Sequence, residues 1–191
     1  MILFSYYSVS TFSNMYVVGC PESGEALIID PARFEAPILD FIESRGMELT
    51  SVLVTRVDET HDRGIRTLRR IYDAKIFAGV PEVAEMPATL LEDREPVRVG
   101  TLEVTPIAIP AHSQDMFSLL LGHVVFTGPV LQAGTVGVEH PGYAGVLLRE
   151  MLTDRLLSLP GETLVLPREG PPTTIGLERA ANPQLTPSPK E

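Results

Sequence analysis

The chain has 191 residues, of which 44% are hydrophobic and 21% are charged, and its formal charge at pH 7 is −10. This composition is typical of a soluble globular protein with a substantial core. Binding to a nucleic-acid backbone depends on Lys and Arg side chains, so the acidic excess argues against a nucleic-acid partner. The apolar run near the N-terminus is too short to span a bilayer, and a single cysteine does not imply an oxidising compartment. We therefore expect a cytoplasmic protein that does not bind membranes.

The first half of the chain reads as strands followed by strand–helix alternation. Runs of β-branched and aromatic residues predict strands at 2–9, 14–19, 25–31, 51–55 and 75–79. Apolar residues at intervals of three and four predict a helix over 34–45, which Gly46 ends. A second helix is predicted after residue 55, with an inward face formed by Ile65, Leu68, Ile71 and Tyr72.

The second half contains a further set of strands and two more helices. Strands are predicted at 96–99, 102–110, 116–122, 123–128 and 163–167, with a hairpin at Gly122-His123. Helices are predicted at 143–159 and 175–181. The order of elements indicates a layered α/β domain with two sheets and outer helices over residues 1–181. We expect the Pro-rich tail 182–191 to be disordered.

Four polar loops follow predicted strands, where ligand sites of α/β proteins gather. Their sequences are TRVDETHD (55–62), PAHSQD (110–115), FTGPVLQAGTVG (126–137) and LPREGPPTTIGLERAANP (166–183).

These four blocks, in this order, resemble the glyoxalase II and persulfide-dioxygenase branch of the metallo-β-lactamase superfamily. Asn14-Met15-Tyr16 and Ile29-Asp30-Pro31 add to the resemblance, and its strongest part is GPPTTIGLERAANPQL at 170–185. It extends over about residues 13–185. The resemblance implies a four-layer αββα sandwich and a hydrolase whose zinc or iron ions activate a bound water.

The resemblance also implies seven metal-ligand positions, and this chain keeps the expected residue at two of them. His61 and His112 are kept. The other five positions hold different residues: Arg56, Asp58, Thr60, Pro129 and Glu169. The proline has no side-chain donor atom, and the arginine brings a permanent positive charge to a place meant for a cation.

Three hypotheses follow for the altered site. In the preferred one, Arg56 forms an ion pair with Asp58 or Glu169, with Arg168 in a similar role nearby, and no cofactor is bound. The chain is then a pseudoenzyme, a binding or scaffold protein for an unknown small molecule or protein.

The second hypothesis is a hydrolase of thioesters or related acyl substrates with one metal ion. Asp58, His61, His112 and Glu169 would hold a zinc, manganese or iron ion. The third is a structural role in an oligomer, for which a homodimer is the simplest form.

Overall fold

The computed structural model describes residues 1–110, 113–137 and 143–185. The strands described are, in chain order, β1 (Ile2–Ser8), β2 (Ser13–Gly19), β3 (Glu25–Ile29), β4 (Glu48–Leu53), β5 (Lys75–Ala78), β6 (Glu82–Val83), β7 (Met86–Pro87), β8 (Thr89–Leu90), β9 (Val97–Val99), β10 (Leu102–Ala108), β11 (Phe117–Leu121), β12 (Val124–Gly128), β13 (Leu131–Gln132), β14 (Thr135–Val136), β15 (Leu164–Pro167) and β16 (Thr173–Thr174). The helices described are α1 (Ala36–Glu43), α2 (Glu59–Leu68), α3 (Tyr143–Arg155) and α4 (Ile175–Ala181).

Two six-stranded sheets form the centre of the molecule. Their strand orders are β1-β2-β3-β4-β5-β8 and β16-β15-β12-β11-β10-β9. Strands β3, β4 and β5 are parallel, so their carboxyl ends meet at one edge of the first sheet. Because β2 runs antiparallel to β3, the β1–β2 turn lies at the same edge. This edge brings together the loops at 9–12, 30–35 and 54–58.

The buried apolar side chains form three clusters that separate four layers. One cluster lies between the first sheet and helices α1 and α2, and includes Ile28, Ile38 and Ile65. A second fills the space between the two sheets. The third packs α3 and α4 on the second sheet, with Leu152 and Ile175 among its members. The predicted αββα sandwich is therefore confirmed.

Most predicted elements are present, and several turns and helix ends lie where local sequence signals predict them. Gly46 has a φ of +60°, in the left-handed region where a side chain is disfavoured, just after α1. The hairpin through Gly122-His123 pairs Leu121 with Val124. Helix α4 has the predicted bounds, and Thr174 caps it by accepting a hydrogen bond from the Leu177 amide at 3.2 Å.

Several features differ from the expectations. The helices predicted over 34–45 and 143–159 are shorter, at Ala36–Glu43 and Tyr143–Arg155. Helix α2 ends at Leu68, so Ile71 lies in the following turn and is 50% exposed instead of facing the core. The short strands β6, β7, β8, β13 and β14 were not predicted, because two residues are too few for an alternating pattern. Asn182 is 1% exposed, and Gln184 accepts a hydrogen bond from the Val136 amide at 2.6 Å, so the chain stays packed beyond residue 181.

The remaining tail, residues 186–191, lies outside the described residues, and the single-domain organisation stays a prediction. Within the described ranges, none of the helices has the length and apolar character needed to cross a membrane.

Candidate functional site

The loop that follows β4 is held in place by two buried carboxylates. Asp30, at the end of β3, accepts hydrogen bonds from the Thr55 amide at 2.8 Å and the Thr55 hydroxyl at 2.7 Å. Asp115, which precedes β11 of the other sheet, accepts a hydrogen bond from the Val57 amide at 3.0 Å. The loop is thus fixed to both sheets, and the residues that follow it have a defined position.

Asp58 begins helix α2 as its N-cap residue. Its backbone is extended (φ −151°, ψ 166°), and its Oδ1 accepts a hydrogen bond from the Thr60 amide at 3.0 Å. The Thr60 hydroxyl also donates to this oxygen. An acidic N-cap stabilises a helix by satisfying a free amide and by interacting with the helix dipole. One oxygen of the Asp58 carboxylate therefore has a structural role.

The other Asp58 oxygen forms an ion pair with Arg168. The Arg168 Nη1 donates to Asp58 Oδ2 at 2.6 Å, and its Nη2 donates to the Thr60 hydroxyl at 3.1 Å. The arginine side chain is 10% exposed and the aspartate 28%. Burial raises the pKa of Asp58, but the electrostatic interaction with His61, the Thr60 hydrogen bond and Arg168 lower it more, and the net pKa is below its ordinary value. Asp58 is therefore a carboxylate with an arginine as its counter-ion.

The loop that carries Arg168 is anchored to the first sheet. The Asn14 amide donates to the Arg168 carbonyl at 2.7 Å, and the Asn14 side chain donates to the carbonyls of Pro167 and Gly170 at 3.0 and 2.8 Å. The Tyr16 hydroxyl donates to the Pro167 carbonyl at 2.6 Å. These bonds fix the backbone from which the Arg168 side chain reaches Asp58.

His61 is fully buried between two carboxylates. Its Nδ1 lies 3.4 Å from Asp58 Oδ1 and its Nε2 lies 3.8 Å from Asp30 Oδ1. Neither ring nitrogen has a hydrogen-bond partner among the described residues. Burial lowers the pKa of His61 most, and Arg168 lowers it further, while Asp30 and Asp58 act in the opposite direction. The imidazole is therefore neutral at neutral pH.

Because its pKa is lowered in the fold, His61 should make the protein less stable in mild acid. Between the folded pKa and the ordinary value of about 6.5, the unfolded chain binds more protons, so the free energy of unfolding falls as pH falls through that window. One histidine contributes at most about 1.4 kcal/mol per pH unit. Asp58 contributes separately, below the ordinary carboxyl range of about 4.

Urea unfolding between about pH 5 and pH 7 tests this expectation, and the fall in stability should be shallower in His61→Gln. His123→Gln is the matched control because His123 is exposed, and it should keep the wild-type slope. An identical slope in His61→Gln and wild type would contradict the assignment.

Arg56 has a different environment from the one expected. The side chain is half-buried, and it forms no ion pair with a carboxylate in the described part of the chain. The predicted pairing of Arg56 with Asp58 is wrong, since Arg168 occupies that place. The counter-ion of Asp58 is Arg168, which lies 110 residues after Asp58 in the sequence.

Neither Pro129 nor Glu169 forms a hydrogen bond or ion pair with Asp58 in the described part of the chain. Pro129 is buried directly after Gly128, whose φ is +56° and whose added Cβ would lie 2.3 Å from the Thr55 hydroxyl. Glu169 is exposed and accepts a hydrogen bond from the Gln132 side chain at 3.3 Å. The predicted pairing of Glu169 with Arg56 is therefore not formed.

Three of the four metal ligands predicted for a single ion lie within the described residues. Over residues 1–110, 113–137 and 143–185, no three His, Cys, Asp or Glu side chains are placed to hold a metal ion. His112, the fourth member of the proposed set, lies outside the described residues. Asp58 and His61 are adjacent, whereas Glu169 is on the surface.

Sequence reasoning gave no role to two residues that hold this site together. In the sequence, Asp30 stands in a family-like tripeptide and Asp115 in a polar loop, and neither pattern predicts a carboxylate that holds a neighbouring loop. The signal for Asp58 as a helix cap was available, since an acidic residue stands directly before a helix with Glu59 and Asp62 in its first turn.

The protein has a four-layer αββα architecture, that of the metallo-β-lactamase fold, with a polar site at the edge of its sheets. No family model matches the chain. The chain is 28% identical over 127 residues to the hydroxyacylglutathione hydrolase of Methylobacillus flagellatus. The aligned segment covers 66% of this chain and 48% of that protein. The chain spans about half the length of the curated hydrolases that it matches.

Solved structures agree with this relationship. The fold is similar to that of ETHE1 from Myxococcus xanthus, with a TM-score of 0.85 and 29% identity over 96% of this chain and 84% of that one. It is also similar to TTHA1623 in a di-iron-bound form, with a TM-score of 0.77 and 27% identity over 94% of this chain and 98% of that one. These glyoxalase II homologues and structural neighbours support a place for the chain in the metallo-β-lactamase superfamily, in its glyoxalase II and ETHE1-like branch.

Proposed function

We propose that this protein is a pseudoenzyme of the glyoxalase II and ETHE1-like branch, a binding or scaffold protein without hydrolase activity. The observation that carries this proposal is the ion pair between Arg168 and Asp58. In it, a guanidinium group provides the positive charge that a metal ion provides in a metal-bound relative.

The donor set does not fit a dinuclear metal centre. Asp58 Oδ1 accepts two hydrogen bonds from Thr60 and Oδ2 accepts one from Arg168, so a cation would have to displace one of these donors or share Oδ2 with the guanidinium group. A metal ion near Asp58 would also lie close to the guanidinium charge of Arg168, and such repulsion is strong in a partly buried site. Pro129, at the position of the bridging aspartate in the resemblance, has no side-chain donor atom.

The same ion pair explains how the fold stays stable without a metal ion. Buried or half-buried carboxylates that lose their counter-ion cost several kcal/mol. Asp58 keeps a counter-ion in Arg168, and Asp30 is satisfied by the amide and hydroxyl of Thr55. The fold can therefore keep these acidic side chains after the metal-dependent chemistry has been lost.

A second candidate function is favoured by one observation at His61. Both of its ring nitrogens are buried without hydrogen-bond partners among the described residues, and a neutral imidazole is a good metal ligand. In this alternative, one zinc, manganese or iron ion bound by His61 with His112 and a carboxylate supports hydrolysis of a thioester. Its substrate class would be that of the similar hydroxyacylglutathione hydrolases.

Metal analysis combined with a hydrolysis assay separates the two functions. We expect protein purified without added metal to hold well below one equivalent of zinc, manganese or iron. We also expect no metal-stimulated hydrolysis of a hydroxyacylglutathione thioester. The matched variants are His61→Ala and His123→Ala, since His123 is an exposed histidine away from the site.

The opposite result would support the metal-dependent hydrolase. About one equivalent of metal that is retained in His123→Ala but lost in His61→Ala, together with thioester hydrolysis that follows the metal content, would overturn the pseudoenzyme proposal. The small-molecule or protein partner, the homodimer and the cytoplasmic location remain predictions.

A further inference from the structure

A cavity opens at the edge of the first sheet where β3, β4 and β5 end, on the side covered by helix α2. Its volume is about 610 Å³. The β1–β2 turn, the segment after β3 and one face of α2 form its walls. The side chains on which the argument rests are Tyr6, Arg33, Phe34, Glu35, Arg63 and Thr67.

Two arginines of this cavity have no carboxylate partner within residues 1–110, 113–137 and 143–185. Arg33 is half-buried and Arg63 is exposed, and neither side chain forms an ion pair or a hydrogen bond with any described residue. Other arginines of the chain do form such pairs, including Arg66 with Glu85 at 3.0 Å and Arg155 with Asp93 at 2.9 Å. In a protein whose formal charge is −10, two unpaired guanidinium groups in one cavity form a local positive site.

The one acidic side chain of the cavity wall is already bonded on both oxygens. Glu35 accepts a hydrogen bond from the Tyr6 hydroxyl at 2.9 Å and from the Ser8 hydroxyl at 3.1 Å. The hydrogen bond to Glu35, followed by burial, raises the pKa of Tyr6, so the tyrosine stays protonated as the donor. Glu35 thus accepts hydrogen bonds from two hydroxyl groups and forms no ion pair with Arg33 or Arg63 among the described residues.

Close backbone packing joins the two segments from which the arginine side chains extend. Gly64, the neighbour of Arg63, lies so close to Pro31 that an added Cβ would be 1.9 Å from the Pro31 carbonyl oxygen. Pro31 precedes Arg33 by two residues, and the Arg33 amide donates to the Met15 sulfur at 3.4 Å. The loop and the helix that carry the two guanidinium groups are therefore rigidly joined, which lowers the entropic cost of binding.

From this arrangement we infer that the cavity binds a small oxyanion, a carboxylate or phosphate group attached to an apolar body. Arg33 and Arg63 hold the anionic group through charge-assisted hydrogen bonds. Phe34 and the ring of Tyr6 contact the apolar part, as in other ligand cavities where a few polar groups set the orientation. The site is separate from the Asp58 and Arg168 pair, and its existence does not depend on whether the protein is catalytic.

Isothermal titration calorimetry with defined probes tests the inference. The probes are phenyl phosphate, phenylacetate, inorganic phosphate and phenol. We expect phenyl phosphate or phenylacetate to bind more tightly than inorganic phosphate, and neutral phenol to give no measurable heat. The two aromatic anions distinguish a phosphate ligand from a carboxylate ligand. Added salt should weaken binding because the contact is electrostatic.

Three substitutions in the cavity and one control outside it locate the site and test its preference for anions. Arg33→Gln and Arg63→Gln should each weaken anion binding by about tenfold or more, as expected for losing a hydrogen bond to a charged group. Arg70→Gln is the matched control, because Arg70 is exposed, follows α2 and does not line the cavity. Glu35→Gln should tighten binding, since it removes a negative charge, while the remaining Oε1 keeps an acceptor for one of the two hydroxyls that bond to Glu35.

Each contrary result would overturn the inference. Absence of binding by both aromatic anions would do so, as would an equal loss of affinity in Arg70→Gln, which would indicate a general charge effect. Weaker anion binding in Glu35→Gln, with circular dichroism unchanged, would mean that the negative charge of Glu35 does not oppose the ligand, as it must in an anion site.

Discussion

Replacement of Gly64 by Ala should lower the free energy of unfolding by about 3 kcal/mol or more, or prevent folding. The added Cβ would lie 1.9 Å from the carbonyl oxygen of Pro31 and 2.8 Å from its carbonyl carbon. Both are backbone atoms, so relief requires helix α2 to move away from the loop after β3. Alanine has a higher helix propensity than glycine by about 1 kcal/mol, so propensity alone predicts the opposite sign.

Urea unfolding of matched glycine variants measures this effect. Gly161→Ala is the control, because its Cβ would lie 3.6 Å from the Gly176 Cα, an ordinary van der Waals contact. It should be close to wild type in stability. A Gly64→Ala protein that is as stable as wild type would show that α2 does not pack on Pro31 as described.

The fold could be predicted largely because its signals are local. Helix α4 has a threonine cap and a short apolar repeat within eight residues, and its bounds were predicted correctly. The end of α2 was misjudged because Ile71 continues the apolar spacing of the helix for one more turn. Periodicity does not reveal that the chain has already turned away from the core after Leu68.

The candidate site divides in the same way between local and distant contacts. Asp58 and His61 are three residues apart on one helix, so their proximity follows from helix geometry. The counter-ion of Asp58 is set by the position of another loop, and a sequence offers Arg56 and Arg168 with equal charge. Only the three-dimensional arrangement, in which Asn14 and Tyr16 hold the loop of Arg168, decides between them.

Arg168→Met should destabilise the protein by about 2 kcal/mol, which is less than the 3–5 kcal/mol typical of a fully buried pair because Asp58 is 28% exposed. The substitution keeps most of the side-chain volume and removes the counter-ion of Asp58. It should also raise the pKa of Asp58, because Arg168 is one of the groups that lower it. The stability contributed by this carboxylate would then be lost at a higher pH on acidification.

A double-mutant cycle with Asp58→Asn isolates the pair, because asparagine keeps the helix cap while it removes the charge. We expect Arg168→Met to cost less in the Asp58→Asn background than in wild type, with a coupling energy of about 1 kcal/mol or more at pH 7. Arg56→Met is the matched control, since Arg56 is half-buried and makes no ion pair with a described residue. A larger loss of stability for Arg56→Met than for Arg168→Met would indicate that Arg56 is the counter-ion of Asp58, as the sequence predicts. A coupling energy near zero would mean that Arg168 does not replace the metal charge, and the pseudoenzyme proposal would then lose its main support.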